Sequence, residues 1–151
     1  MFKRLLDQLF EPSAPPGIAS DDAGIAVAAL MVRVARSDDH YDSVEQSRID
    51  GVLMRRYALD ADAARTRREE AEEVEANAPD TVRFTRAIKD RVALDDRVSI
   101  IRALWDVALS DGDRGATEEA MIRLIAGLLG VSDVDSARAR QDVQARAGRS
   151  A

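Results

Sequence analysis

Carboxylates are the side chains whose spacing in this chain could do chemistry. Asp38, Asp39, Asp42 and Glu45 stand within eight residues, with no lysine or arginine among them. A second acidic stretch holds Asp111, Asp113, Glu118 and Glu119, opposed only by Arg114. Carboxylates gathered at such range raise one another's pKa or recruit a counter-charge. A hard divalent cation, Ca2+ or Mg2+, suits ligation by oxygen alone. The same residues also suit the first turn of a helix, where capping and the helix dipole favour acids without any ion. Cation binding and plain capping both remain open from these residues.

Other chemistries find less support. Counted from Asp38, the twelfth position is Ile49, and from Asp111 it is Ile122, so neither stretch supplies the closing carboxylate of an EF-hand. His40 is the only histidine; it could serve as a ligand or base, but a single exposed loop histidine usually does neither. Ser110 has no histidine beside it and no G-x-S-x-G elbow, which argues against a hydrolase nucleophile. No catalytic residue and no organic cofactor is expected. The chain has no cysteine, which excludes thiolate zinc sites and disulfides and favours a reducing, cytoplasmic setting.

The elements that must position these acids read as helices throughout. The chain is 151 residues long, 46% hydrophobic and 33% charged, with only 4% aromatics, so its core rests on Ala, Val, Ile and Leu. Ser20 starts a helix that is apolar nearly all round from Ile25 to Val34, which predicts a central position. A second runs from about Ser43 to Arg56, with Asp42 and Glu45 as a capping box and Val44, Ile49, Val52, Leu53 and Tyr57 facing inward. Asp60 caps a third, to about Ala76, whose Arg and Glu run reads as a solvated face with Arg65–Glu69 and Arg68–Glu72 pairs. The turn at Asn77–Asp80 leads to a helix burying Val82, Phe84, Ile88 and Val92. Asp95 caps the next, with Val98, Ile101, Leu104, Trp105 and Ala108 on its inner side. Helices from Ala116 to Leu129, stopped by Gly130, and from Ser132 to about Val143 complete the set. The expected fold is all-α, about seven helices.

Before this domain, Phe2, Leu5, Leu6, Leu9 and Phe10 form the stripe of a short amphipathic helix, followed by a Pro-rich linker. Residues 1–19 are therefore read as an appended segment, 20–145 as the domain, and 146–151 as a disordered tail. The short helix is expected to dock on the domain or fray, with membrane-surface contact supported only by Lys3 and Arg4. No apolar run is long enough to span a bilayer. A net charge of −6 disfavours nucleic acid. A protein partner is expected; the oligomeric state is not determined by the sequence.

The acidic stretches belong to a repeat. At an offset of 73 residues, Val34-Ala35-Arg36-Ser37-Asp38-Asp39 lies over Val107-Ala108-Leu109-Ser110-Asp111-Gly112, Glu45 over Glu118, and Ile49 over Ile122. Two similar helical hairpins related by a pseudo-twofold would follow. Ser37-Asp38-Asp39-x5-Glu45 and Ser110-Asp111-Gly112-x5-Glu118, with the phrase Leu104–Gly112 and Phe84-Thr85-Arg86-Ala87-Ile88 before it, resemble the TerB, or tellurite resistance, family. The resemblance covers about residues 20–145. It implies an all-helical bundle and a divalent-cation site built from the acidic loop residues, and it points to stress- or metal-related physiology. It implies no known catalytic activity. The chain departs from the pattern at Asp39, where glycine is expected at a position that needs a positive φ. The leading expectation is a non-enzymatic cation-binding module; a metal-free interaction scaffold and a metal-assisted enzyme using the carboxylates are the alternatives.

Overall fold

The computed structural model describes residues 20–78, 80–109 and 116–150. The appended N-terminal segment, Ser110, Asp111 and Asp113 lie outside them. Seven helices and no strand occur among the described residues. Helix α1 (Ser20–Arg36) forms the centre. From Ile25 to Ala35 every residue except Arg33 is buried, as its all-round apolar sequence requires.

Short polar signals set the boundaries. Asp42 caps α2 (Ser43–Tyr57), its Oδ1 accepting from the N–H groups of Val44 and Glu45, each at 3.1 Å. Asp60 caps α3 (Ala61–Asn77) by accepting from Ala63 N at 2.8 Å. Helix α4 (Val82–Lys89) is short and turns Phe84, Thr85 and Ile88 inward. Helix α5 (Leu94–Leu109) buries Ile100, Ile101, Leu104, Trp105 and Ala108. Helix α6 (Ala116–Leu128) stops at Gly130, whose φ of 74° allows Val131 N to reach Ala126 O at 2.8 Å, a closing bond available to glycine at little cost. Ser132 then caps α7 (Asp133–Ser150), accepting from Asp135 N at 3.1 Å.

Helix α1 lies against α3, α4 and α5, and α5 in turn carries α7. In each half the most extensive contact joins the first helix to the third, α1 to α3 and α5 to α7. The second helices, α2 and α6, each touch both α1 and α5. Helix α4 links the halves. No described helix is long and apolar enough to cross a membrane.

Four local expectations are corrected. Val44 is 55% exposed and Val82 40% exposed, because each sits in a first turn beside the inward register set by Ile49 and by Phe84. Asp95 is not a cap; α5 begins at Leu94, which puts Asp95 and Asp96 in its first turn. Helix α7 runs to Ser150, past Val143 and through the expected tail, since no helix breaker intervenes before Gly148. The charge run on α3 is not simply a solvated face. Arg68 is only 8% exposed, and Arg65 turns to Asp62 at 3.3 Å.

Candidate functional site

The first acidic loop leaves the end of α1 and enters α2. The final turn of α1 is closed by Ser37, whose N–H and Oγ both donate to Val34 O, and by Asp39 N donating to Arg36 O at 3.0 Å. Asp39 then adopts the left-handed conformation, φ 64°. The position where glycine is expected thus has the positive φ that explains the expectation. Asp tolerates this region better than most residues but at some cost. Asp39→Gly should therefore raise stability, by about 0.5–1 kcal/mol, while removing one carboxylate; denaturant unfolding measures it, and a loss of stability would contradict it.

Asp38 Oδ1 accepts from His40 N at 3.0 Å, a tight turn of the Asx kind. Asp42 Oδ1 is the α2 cap already described. Asp38, Asp39 and Asp42 form no ion pair with any described residue, and Asp39 and Asp42 are exposed. Glu45 follows on the first turn of α2, half-buried. The His40 ring lies with Nδ1 3.1 Å from the Asp38 carbonyl oxygen. That bond to the backbone, and next the Asp38 carboxylate, raise the His40 pKa above its ordinary 6.5. The contribution of charged His40 to stability is complete below the unfolded pKa and is lost as pH rises through the folded one. A proton NMR titration should find the His40 midpoint above that of an unfolded reference; one at or below it would contradict the geometry.

Beneath the loop lies a polar network of which the sequence reveals only the Arg68–Glu72 pair. Tyr41 donates its hydroxyl proton to Glu72 Oε2 at 2.5 Å, and its ring lies under the Arg36 guanidinium at 4.8 Å. Burial, then the bond to Glu72, raise the Tyr41 pKa. Glu72 also accepts from Gln46 Nε2 at 3.2 Å and from Arg68 Nη1 at 3.0 Å. Arg68 Nε donates to Asp50 at 2.7 Å. Burial opposes the Arg68 charge, but the bonds to Asp50 and Glu72 outweigh it and raise its pKa. Further along α3, Glu75 pairs with Arg33 at 2.9 Å and with Arg36 at 2.8 Å. The loop is therefore held at both ends and through its middle residue, Tyr41.

Of the acids expected as ligands in the second half, Glu118 and Glu119 lie among the described residues. Glu118 is buried at 7% exposure. Glu119 pairs with Arg140 of α7 at 2.8 Å, and that guanidinium lies 5.2 Å from the centre of the Trp105 ring. Trp105 is a core residue, as expected, and its Nε1 donates to Ser136 Oγ at 3.3 Å. Asp111 and Asp113 lie outside the described residues. Among the described residues no three His, Cys, Asp or Glu side chains form a group that could hold a metal ion. Asp38, Asp39, Asp42 and Glu45 therefore do not make a closed site alone.

Two clefts stand out among the described residues. One of about 480 Å3 opens where the first turns of α1 and α5 meet, lined by Gly24, Val27, Tyr57, Leu59, Val92 and Ile100 among others. Asp38 lies fourteen residues beyond Gly24, so the acidic loop is about 20 Å away along the helix. The other, about 330 Å3, is lined by Trp105, Arg123, Asp133, Ser136 and Arg140.

A family model described as tellurite resistance protein TerB matches residues 24–141 of this chain. No curated protein and no solved structure matches it.

Proposed function

The chain belongs to the TerB family, and from that premise we propose that it is a non-enzymatic module that binds a divalent cation through its acidic loops. Asp38, Asp39, Asp42 and Glu45 of the first loop would supply oxygen ligands, joined by Asp111, Asp113, Glu118 and Glu119 if the pseudo-twofold read from the repeat brings the loops together. The matching packing of α1 on α3 and of α5 on α7 supports that arrangement. Ca2+ or Mg2+ fits such a donor set. The bound ion would serve as a structural or sensing charge, with physiology related to tellurite or stress as the wider setting.

One observation carries the reading. On the helices, Asp50, Glu72, Glu75, Asp106 and Asp142 sit in ion pairs with arginine. Asp38, Asp39 and Asp42 have none among the described residues. In Asp38 and Asp42 one oxygen is already fixed by backbone N–H groups, which orients the carboxylate and leaves Oδ2 for another partner.

Those same hydrogen bonds favour the second reading, an interaction scaffold whose loop acids only cap. The two separate cleanly. Asn keeps the side-chain acceptor that caps a turn but removes the charge, so Asp38→Asn/Asp111→Asn should fold with little change in stability. Titration calorimetry with Ca2+, Mg2+ and Mn2+ should give saturable heat for the unaltered chain and at least about tenfold weaker binding for the double variant. No heat at millimolar cation, or equal binding by both proteins, would leave the scaffold.

The enzyme reading has less support, since it needs a deep cleft beside the loops and the larger cleft lies at the far end of α1.

A further inference from the structure

The larger cleft, of about 480 Å3, has the size and lining of a small-molecule site. Such sites are concave, span roughly 300–1,000 Å3, and set a few polar groups around an apolar surface. Val27 and Ile100 form the buried floor, and the half-buried Leu59 and Val92 extend it. The Tyr57 ring stands beside them; burial raises the pKa of its hydroxyl. The polar groups gather on α5. Asp96, Ser99 and Ile100 are spaced by three and four residues, so they share one face of that helix. A carboxylate and a hydroxyl therefore stand next to the apolar floor. Neither Asp96 nor its neighbour Asp95 is ion-paired with a described residue, and the Ser99 hydroxyl bonds to none. The other charged lining residue, Arg67, rests against Gly24, where an added Cβ would meet its Nη1 at 2.9 Å, and it already has a partner. Asp96 is thus the charge in this cleft that still lacks one among the described residues.

We propose that this cleft binds a small organic ammonium ion, a protonated amine carried on a hydrocarbon body. The hydrocarbon covers the floor, and the ammonium N–H groups donate to the Asp96 carboxylate and the Ser99 hydroxyl. An alkylammonium has three donors and no acceptor, which suits two acceptors side by side. The bond to the carboxylate is charge-assisted. Asp95 and Asp96 together repel an anion of the same shape. Burial of hydrocarbon supplies most of the affinity, because Asp96 is exposed and an exposed ion pair contributes little. The carboxylate instead decides the choice of amine over acid. The first acidic loop is about 20 Å away along α1, so amine binding here stands apart from any cation held there.

Hexylammonium chloride titrated into the full chain at constant ionic strength tests this by amide NMR. The signals of Gly24, Val27, Ser99 and Ile100 should shift saturably. Butylammonium, two methylenes shorter, should bind about tenfold more weakly, since each buried methylene is worth about fourfold. Hexanoate should bind at least about tenfold more weakly than hexylammonium. Asp96→Asn should leave the fold and the affinity for hexanol in place while weakening hexylammonium about three- to fivefold. Ser99→Phe, which sets a ring at the mouth of the cleft, should abolish the shifts from both. The proposal is overturned if millimolar hexylammonium gives no saturable shift at these residues, or if hexanoate binds as tightly. It is equally overturned if methylammonium shifts the same signals as strongly, which marks exposed charge alone, or if Asp96→Asn binds hexylammonium unchanged.

Discussion

Arg68→Ala lowers the unfolding free energy by about 2–4 kcal/mol, measured by denaturant melting at fixed pH. The guanidinium joins α2 to α3 through Asp50 at 2.7 Å and Glu72 at 3.0 Å. Removing it strands two carboxylates in a site where Asp50 and Glu72 side chains are 22% and 19% exposed. That residual contact with water keeps the expected cost below the upper end for a fully buried pair. The effect should not stop at the helices. Glu72 also accepts the Tyr41 hydroxyl, so the loop between Asp38 and Glu45 loses its middle anchor. Arg68→Ala/Glu72→Gln should recover part of the loss, because the second change removes one stranded charge; the coupling in that cycle is the pair's own contribution. A loss under about 0.5 kcal/mol would mean the network is a surface feature.

Phe84→Ala costs about 3–5 kcal/mol, among the largest effects of a single truncation in this fold. Phe84 is fully buried on the short helix α4. Deleting the ring leaves a cavity that a helix of 8 residues, fixed at both ends, can hardly collapse. The ring also supports Arg33, whose guanidinium lies 5.3 Å from its centre. Arg33 donates to Thr81 Oγ1 and to the carbonyls of Glu75 and Ala78, tying the turn between α3 and α4 to α1. A domain of this size has ~5–15 kcal/mol in total, so the variant should melt roughly 10 °C lower. Phe84→Leu should lose only about 1 kcal/mol by keeping most of the volume. Equal stability of Phe84→Ala and the unaltered chain would show that α4 is not part of the cooperative core.

The fold was legible wherever its cause is local. A capping side chain acts within three residues, so Asp42, Asp60 and Ser132 could be read directly, as could the glycine stop at Gly130. The all-round apolar run of α1 marks a helix that neighbours must surround. The positive φ of Asp39 could be expected from a pattern that wants glycine there. What escaped notice is non-local. Arg33 and Glu75 are 42 residues apart, Tyr41 and Glu72 are 31, and Arg68 and Asp50 are 18. Helical periodicity links neighbours only three or four positions away. An arginine that crosses to another helix therefore looks the same in sequence as one facing water. The α3 charge run looks like a solvated face in sequence for this reason, whereas its Arg68–Glu72 pair, four residues apart, falls within the reach of helical periodicity. Val44 and Val82 differ for another reason: hydrophobic type alone does not dictate burial, and single exposed valines are ordinary on a folded surface.

The candidate site divides along the same line. Its acids and its turn geometry were visible, because both depend on residues 37–45. The supports beneath it were not: Arg36, Tyr41, Glu72 and Glu75 come from three segments that meet only after folding. A tyrosine set among loop acids, in a chain with two tyrosines, was the one available hint.

Paramagnetic NMR on the full chain tests cation binding at the acidic loops most directly. Trace Mn2+ should broaden the amide signals of Asp38 to Glu45 first and saturably, and excess Mg2+ or Ca2+ should sharpen them again. Broadening spread evenly over exposed acids such as Asp62, Asp80 and Asp133, with no preference for the loop, would contradict the account.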